Sequence, residues 1–352
     1  MSGTMRVLKA HGAKTASVDE GVPIPSLRPD YVLVKTVAVA LNPTDWKHIG
    51  FVDGPCTVGC DFAGIVQDVG DNIQGRWKQG DRVFGFVHGA NTGSPEDGAF
   101  GEYLLAKGAT IMRIPDDMSF EEAATFGVGT ITVGQGMYQK MQLPFPDQPA
   151  QGSPPILIYG GSSATGALAI QYAKLSGFKV LTTCSAHNFD LVKSFGADHV
   201  FDYSSPSCAA DIRKASDNKL YYAWDTISEE KTAKICADAL STDPPSGQLL
   251  RYGSILNVQC PRDDVTSTFT LGYTAQGEAF HKFGKQFEAK PEDLAFSSKF
   301  AALSQKLIED KKIRAHRYEV REGGLDGILG GLDDMKNGRI SGVKVVYRIS
   351  GE

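Results

Sequence analysis

The most informative stretch of this chain is Ile156-Leu157-Ile158-Tyr159-Gly160-Gly161-Ser162-Ser163-Ala164-Thr165-Gly166. Its first four residues form a short apolar run, which is typical of a buried strand. Three glycines then fall within seven residues, and a helical run over 167–175 follows, stopped by Gly177. The stretch therefore predicts a strand, a tight turn and a helix in direct succession.

The residues after this turn repeat the alternation of strand and helix. Apolar runs predict strands over 179–183, 199–201, 221–225 and 254–258, and helices over 188–195, 209–215 and 229–240. Strands separated by helices of about ten residues indicate a parallel sheet with helices on both faces. From about residue 276 the alternation stops, and the chain predicts helices over 297–311 and 325–337 with strands over 315–320 and 343–349.

The first 125 residues have a different pattern. Residues 32–39 are apolar and β-branched, as in a buried strand. Glycines then recur every five or six residues, which is typical of short strands joined by tight turns in a compact barrel: Gly59, Gly64, Gly70, Gly75, Gly80 and Gly85. We therefore predict an α/β chain of two domains, a discontinuous β-barrel domain (1–126 and 276–352) and a doubly wound parallel-sheet domain (127–275).

Composition excludes several classes of function. The chain has 352 residues, with 36 lysines and arginines against 41 aspartates and glutamates, so its net charge is -5. This balance gives no global attraction to nucleic acid or anionic membrane. The sequence has no apolar run long enough for a spanning helix and no recognisable leader. Six scattered cysteines are typical of reduced thiols, so we expect a cytoplasmic protein.

The glycine-rich turn also suggests a ligand. Glycines between a strand and a helix let the backbone approach a pyrophosphate, whose charge is met by the helix N-terminus. The turn departs from the G-x-G-x-x-G pattern because Ser163 stands at the middle glycine. An ordinary glycine-rich turn is the alternative, but the alternation that follows favours a dinucleotide site.

The end of the second predicted strand indicates which dinucleotide. An NAD site places Asp or Glu there, whereas this chain has Thr183-Cys184-Ser185-Ala186-His187-Asn188. Ser185 and Asn188 can donate hydrogen bonds to a 2′-phosphate, with Lys193 and Tyr203 as further donors. These residues favour NADPH over NADH. The alternative is that they only cap the helix that begins near Asn188.

Several motifs together resemble a known superfamily across essentially the whole chain. They are Asn42-Pro43-Thr44-Asp45-Trp46-Lys47, Gly59-Cys60-Asp61-Phe62-Ala63-Gly64, Gly80-Asp81-Arg82-Val83 and Ser341-Gly342-Val343-Lys344-Val345-Val346. They are similar to the medium-chain dehydrogenases/reductases, in the quinone-reductase-like branch. This resemblance implies a GroES-like catalytic domain and a Rossmann cofactor domain. Residues 184–191 and 200–203 are similar to fungal trans-acting enoyl reductases of polyketide synthase clusters, of the lovastatin type.

The narrower resemblance implies a reaction and a partner. Such enzymes use NADPH to reduce the α,β-double bond of enoyl thioesters on the acyl-carrier domain of a polyketide synthase or polyketide–peptide hybrid synthase. A free-standing NADPH quinone or enone reductase is one alternative, and a cofactor-binding scaffold without turnover is another. Pro261, which cannot donate to a strand ladder, favours a monomer over a homodimer.

A zinc site is not expected. The zinc alcohol dehydrogenases of the superfamily have a histidine and a glutamate where this chain has Cys60-Asp61, and their first metal-binding cysteine is replaced within residues 42–47. Cys56 and Cys60 have no companion pair that would complete a tetrahedral set. His88 is interpreted as a structural or surface histidine.

The resemblance also implies the site residues. Lys47 and Thr132 are the candidate catalytic residues near the nicotinamide and the substrate carbonyl, whereas the alternatives are a solvated lysine and a helix-interior threonine. The proton donor is left unassigned. The expected cofactor-binding residues are Asp45, Trp46, Lys47, His48, Gly161, Ser162, Ser163, Ala164, Thr165, Ser185, Ala186, His187, Asn188, Lys193, Tyr203, Gly342 and Val343. The expected substrate residues are Val128, Gly129, Thr130, Thr132, Leu271, Gly272, Tyr273, Thr274 and Ala275.

Overall fold

A computed structural model describes residues 3–12, 14–282 and 284–351. The strands are β1 (Thr4–Gly12), β2 (Thr15–Pro23), β3 (Tyr31–Ala40), β4 (Cys56–Thr57), β5 (Asp61–Val69), β6 (Arg82–Phe86), β7 (Tyr103–Lys107), β8 (Met112–Arg113), β9 (Pro155–Tyr159), β10 (Lys179–Cys184), β11 (His199–Asp202), β12 (Tyr222–Asp225), β13 (Leu250–Ser254), β14 (Val265–Phe269), β15 (Phe280–Lys282), β16 (Lys285–Phe287), β17 (Tyr318–Arg321) and β18 (Lys344–Arg348).

The helices lie mainly after the first hundred residues. They are α1 (Pro43–Ile49), α2 (Phe120–Ala123), α3 (Gly127–Val133), α4 (Ala164–Leu175), α5 (Phe189–Ser194), α6 (Cys208–Ala215), α7 (Glu230–Ala239), α8 (Pro291–Glu309) and α9 (Gly324–Lys336). None of the helices in the described part of the chain has both the length and the apolar character that a membrane crossing needs.

The first compact unit comprises residues 1–131 and 273–352. Its largest sheet has seven strands in the order β17-β18-β3-β5-β6-β8, with β7 also pairing with β3. A second sheet has the order β2-β1-β4. Apolar side chains of both sheets share one core with α9, through residues such as Val34, Phe62 and Ile328. Because its strands pair mostly antiparallel and share a large apolar core, the unit has the β-rich character predicted for the GroES-like domain.

The second compact unit comprises residues 132–272 and contains a six-stranded parallel sheet. Its strand order is β11-β10-β9-β12-β13-β14. From β9 the chain first adds β10 and β11 on one side and then adds β12, β13 and β14 on the other, so the order of the strands reverses between β9 and β12. This arrangement confirms the predicted Rossmann-type α/β fold. Each strand and helix predicted between residues 156 and 240 is present, with ends shifted by three residues or fewer.

The chain passes from the first unit to the second within α3. The backbone N–H of Val128 donates to Asp61 Oδ1 at 2.5 Å, which ties the start of α3 to the first unit. A π-helix over Gly134–Lys140 follows, and Gly136 packs against the indole of Trp224 in the second unit. The unit boundaries therefore fall at 131/132 and 272/273. The sequence pattern predicts them at 126/127 and 275/276, three to five residues away.

One predicted strand is wrong. Residues 254–258 are not a strand, because β13 already ends at Ser254, whose hydroxyl donates to Leu256 O at 2.7 Å. Sequence reasoning also missed β14, the edge strand of the parallel sheet, which is polar and pairs with β13. Pro261 lies outside β14, so it does not block that edge, and the expected monomer stays a prediction without this support.

Candidate functional site

The glycine-rich turn of the second unit lies at the carboxyl end of β9. Gly160 adopts a φ of 80°, which favours glycine. A Cβ added to Gly161 would lie 2.1 Å from Thr182 Oγ1, and one added to Gly166 would lie 2.3 Å from the carbonyl oxygen of Gly160. The turn is therefore so tight that side chains are excluded. The N–H groups of Gly160 and Gly161 donate to Thr183, so a ligand would bind the first N–H groups of the helix that follows.

Ser163 explains the departure from the usual glycine pattern. It is the N-cap of α4, and its hydroxyl accepts the N–H of Gly166 at 3.0 Å. The same hydroxyl lies 3.0 Å from Thr226 Oγ1. Ser162, Ser163, Ala164 and Thr165 are all half-buried at the start of the helix. The N-terminus of α4 thus has the preorganised donors that a pyrophosphate needs, and the residues present fit a dinucleotide.

The end of β10 carries the residues expected to select the cofactor. Ser185 donates to the hydroxyl of Tyr203 at 3.3 Å, so these two expected residues are neighbours. Asp202 pairs with Cys184 at the end of β10. Its carboxylate accepts hydrogen bonds from the backbone N–H and the hydroxyl of Ser204. Among the other expected donors, Ala186, His187 and Lys193 are exposed whereas Asn188 is buried. Residues 183–188 themselves contain no carboxylate, which suits a 2′-phosphate.

A buried carboxylate that the sequence analysis missed organises the neighbouring strand end. Asp225 closes β12, is fully buried, and accepts the backbone N–H groups of Ile227 and Ser228 at 2.9 Å each. The hydroxyls of Thr232 and Tyr252 also donate to it. Burial raises the pKa of Asp225, although these donors oppose the shift. Its position at the carboxyl end of a parallel strand was the signal that could have identified it.

The motif over residues 42–47 forms the start of α1 in the first unit. The N–H of Asn42 donates to Asp45 Oδ2 at 2.7 Å, so this buried carboxylate closes the helix N-terminus. Burial raises the pKa of Asp45 to about 8. Lys47 is exposed, with its Nζ 5.7 Å from the ring centroid of Trp46. Lys47 is thus available to a ligand, whereas the expected cofactor role of Asp45 stays a prediction.

Asp61 connects three of the sequence motifs with the start of α3. Its carboxylate is fully buried and accepts Asn42 Nδ2 at 2.9 Å, Lys344 Nζ at 2.5 Å and the N–H of Val128 at 2.5 Å. Lys344 also donates to Asn42 Oδ1 at 2.9 Å. One buried ion pair therefore fixes α1, β5, the start of α3 and the strand that follows Gly342 and Val343.

The same neighbourhood does not fit a zinc ion. Asn42 and Lys344 both donate hydrogen bonds to the Asp61 carboxylate. The ammonium of Lys344 already supplies the positive charge that a metal ion would bring there. Burial raises the pKa of the Cys60 thiol well above its usual value. Within the ranges described, no three His, Cys, Asp or Glu residues are grouped so that they could hold a metal ion.

A second buried network surrounds Tyr273, one of the expected substrate residues. Its hydroxyl lies 2.7 Å from Thr44 Oγ1 and 3.1 Å from His48 Nε2. The ring of His88 stacks on its ring at 4.1 Å, and Lys282 Nζ lies 4.2 Å from the ring centroid. His88 is therefore buried and not at the surface. Lys282 was missed, since a single lysine in a short hairpin carries no sequence signal.

The remaining expected substrate residues differ in accessibility. Half-buried positions are Val128, Thr132, Leu271 and Gly272, and buried positions are Gly129, Thr130, Thr274 and Ala275. The Thr130 hydroxyl has no hydrogen-bond partner among the residues that the structure describes. Thr132 belongs to the second unit and Tyr273 to the first. Both Gly342 and Val343 are half-buried, and the Gly342 carbonyl accepts Arg317 Nε at 3.0 Å.

Comparison with known proteins places these features in a family. Residues 28–116 match the alcohol dehydrogenase GroES-like domain, and residues 164–267 match the zinc-binding dehydrogenase family. The chain is 47% identical to "Trans-enoyl reductase resD" of Aspergillus sclerotiorum, over 93% of this chain and 95% of that one. It is 46% identical to "Trans-enoyl reductase ACTTS2" of Alternaria alternata, over 98% and 99%. A crystal structure of a putative zinc-dependent alcohol dehydrogenase from Rhizobium etli shares the fold, with a TM-score of 0.81, 23% identity and 99% of each chain covered.

Proposed function

Because this chain belongs to the trans-enoyl reductase family of the medium-chain dehydrogenases/reductases, we propose that it reduces the α,β-double bond of enoyl thioesters in fungal secondary metabolism. It is an oxidoreductase acting on carbon–carbon double bonds. The substrate is the acyl chain carried on the acyl-carrier domain of a polyketide synthase or polyketide–peptide hybrid synthase. The observation that carries this proposal is the near-full-length similarity to proteins named trans-enoyl reductases.

NADPH is the proposed cofactor. Its pyrophosphate would be bound by the N–H groups of Ala164 and Thr165 at the start of α4, with Ser163 as the helix cap. The adjoining hydroxyls of Ser185 and Tyr203, with Lys193, would bind the 2′-phosphate, supported by the absence of a competing carboxylate in residues 183–188. The six cysteines are buried and free, which supports a cytosolic place of action.

The chemistry divides between hydride transfer and charge stabilisation. When bound, the dihydronicotinamide supplies a hydride for the β-carbon of the thioester. Lys47 and Thr132 would donate hydrogen bonds to the cofactor ribose and to the thioester oxygen, where negative charge develops. A preorganised donor of this kind contributes about 3–4 kcal/mol to catalysis. Asp61 would keep the Lys47 helix and the start of α3 in place through its buried contacts.

The first test is NADPH oxidation with a short enoyl thioester, beside a simple quinone. We expect turnover of the thioester and not of the quinone. Turnover should be faster when the acyl group is attached to a carrier domain. Turnover of the quinone alone would identify a free-standing quinone reductase instead. NADPH binding without turnover of either thioester form would identify a scaffold.

Two variants test the proposed catalytic residues. Lys47→Ala and Thr132→Ala should each lower kcat by about 10²–10³, which corresponds to the loss of one transition-state donor. Lys336→Ala is the matched control, because Lys336 is an exposed lysine at the end of α9. A control that loses as much activity as Lys47→Ala would contradict the assignment.

A further variant tests the cofactor preference. Ser185→Asp places a carboxylate at the end of β10, which repels a 2′-phosphate and accepts a ribose hydroxyl. We expect the ratio of kcat/KM for NADPH to that for NADH to fall by at least tenfold. An unchanged ratio would show that Ser185 does not contact the 2′ position.

A further inference from the structure

We infer that Tyr273 is the acid that protonates the α-carbon of the substrate, and that Thr44 returns a proton from solvent to Tyr273. This inference rests on the proposed reduction of an enoyl thioester, which adds a hydride to the β-carbon and still needs a proton at the α-carbon. The sequence motifs identify no donor for that proton.

The position of the Tyr273 hydroxyl supports this role. It lies between Thr44 Oγ1 at 2.7 Å and His48 Nε2 at 3.1 Å, and the Thr44 hydroxyl is itself 3.3 Å from His48 Nε2. Thr44 belongs to the motif assigned to the cofactor, and Tyr273 belongs to the segment assigned to the acyl chain. The fold of the first unit therefore joins these two motifs through a pair of hydroxyl groups.

Tyr273 and Thr44 also differ in burial. Tyr273 is buried, with 8% of its surface exposed, whereas Thr44 is half-buried. Burial raises the pKa of Tyr273 well above its usual value, so the phenol keeps its proton until it meets a strong base. An enolate carbon is such a base. Thr44 is the less buried member of the pair, so it is suited to restore the proton from solvent.

A buried positive charge lies over the phenol ring. Lys282 is 4% exposed, and its Nζ lies 4.2 Å from the centroid of the Tyr273 ring. Its polar contacts are His88 Nε2 at 3.0 Å and Ala90 O at 3.2 Å, and no carboxylate of residues 3–12, 14–282 or 284–351 forms an ion pair with it. A buried ammonium without a counter-ion is costly, but it stabilises a phenolate formed beneath it.

His88 and His48 complete the surroundings of the phenol as neutral groups. Burial lowers the pKa of each imidazole well below its usual value. His88 stacks on the ring at a centroid distance of 4.1 Å and bonds to Lys282, so it holds both groups in place. His48 and Thr44 hold the hydroxyl. The orientation of the tyrosine is therefore fixed by the contacts of its ring and of its hydroxyl.

The proposed step moves one proton from Tyr273 to the substrate and one proton from solvent to Tyr273. As the hydride reaches the β-carbon, the electron pair of the double bond moves to the α-carbon and thioester oxygen as an enolate. The α-carbon forms a bond to the phenolic proton of Tyr273, and the electron pair of the O–H bond stays on the phenolate oxygen. Thr44 passes its hydroxyl proton to the phenolate and takes one from water. Each turnover thus consumes one hydride from NADPH and one proton from solvent.

The decisive experiment compares Tyr273→Phe with the wild type in D2O, using an enoyl thioester and NADPH. A proton delivered by one fixed side chain reaches one face, so the wild-type product should carry deuterium at the α-carbon in a single configuration. Tyr273→Phe keeps the ring under Lys282 but loses the hydroxyl. We expect kcat to fall about 10²-fold with KM within a factor of two, and deuterium to appear in both configurations.

A matched control separates this role from a structural one. Tyr138 is also buried and its hydroxyl bonds to a hydroxyl, that of Ser176 at 2.8 Å, so Tyr138→Phe removes a comparable hydrogen bond in the second unit. It should keep deuteration on one face. If Tyr273→Phe retains wild-type kcat and one-face deuteration, Tyr273 is not the donor.

Variants of Thr44 decide the question if Tyr273→Phe does not fold. Thr44→Ser keeps the hydroxyl and should retain at least half of kcat, whereas Thr44→Val should lose about tenfold and show a larger solvent isotope effect. Equal activity of the two variants would overturn the relay. A wild-type protein that reduces no enoyl thioester would overturn the proposed function itself, which the wild-type assay reveals independently of the variants.

Discussion

Replacing Asp61 with asparagine tests whether one buried ion pair holds the first unit together. In Asp61→Asn the side-chain oxygen can still accept the N–H of Val128, but the new amide group then faces the ammonium of Lys344 and the amide of Asn42. Lys344 is 3% exposed, so its charge loses its partner without gaining water. Breaking a buried pair in this way costs about 3–5 kcal/mol of the free energy of unfolding.

Urea unfolding followed by circular dichroism measures this loss. With a slope of roughly 3 kcal/mol per molar urea, the midpoint should fall by about 1 M or more. Asp326→Asn is the control, because Asp326 pairs with Arg6 at 2.8 Å but its side chain is 63% exposed. Such an exposed pair contributes about 0–1 kcal/mol.

A double variant isolates the pairwise contribution. Asp61→Asn combined with Lys344→Met removes both charges, so we expect it to be less destabilised than the sum of the two single variants. The reasoning would be refuted if Asp61→Asn lost less than about 1 kcal/mol, or if the two single losses simply added.

Three further predictions concern the N-terminus of α4 and the pH dependence of stability. Ser163→Ala removes the cap on Gly166, so unfolding free energy should fall by about 1 kcal/mol in a urea titration, and an unchanged midpoint would contradict the cap. Gly166→Ala places a Cβ 2.3 Å from the Gly160 carbonyl oxygen, so the turn must open; Kd for NADPH, measured by fluorescence, should rise at least tenfold, and an unchanged Kd would contradict the proposed cradle. Because burial raises the pKa of Asp45 to about 8, its contribution to stability is full below pH 3.8 and is lost as pH rises through 8. Asp45→Asn lacks this titration, so its stability relative to the wild type should improve from pH 5 to pH 8.5, and parallel pH profiles would argue against a protonated Asp45.

Local patterns predicted most of the second unit, because the elements between residues 156 and 240 each carry their own signal. Alternating apolar runs and helical stretches gave the strands and helices between residues 156 and 240, and glycines with Ser163 located the turn. The prediction failed at β14, since a polar edge strand buries little surface and has no apolar pattern. It also misplaced β13, because the apolar character of residues 255–258 resembles a strand.

The candidate site was predictable only in part, for a related reason. Lys47 and Ser185 lie in motifs whose spacing is visible along the chain. Lys282 lies 238 residues after Thr44 in sequence, and nothing local to either residue indicates that both would surround Tyr273. Contacts between distant segments depend on strand pairing and core packing, which a single sequence does not specify by pattern.

The sequence by itself therefore determined the fold class, the glycine-rich turn and the neutral end of β10, because these depend on neighbouring residues and on backbone conformation. Only the tertiary structure decided which charges are paired and which hydroxyl groups meet. Asp61 and Lys344 are 283 positions apart, and burial in a common core turns them from two surface-type residues into one fixed ion pair. The same burial brings Tyr273 to Thr44 and Lys282, since a polar group removed from water must find its partners wherever the fold supplies them.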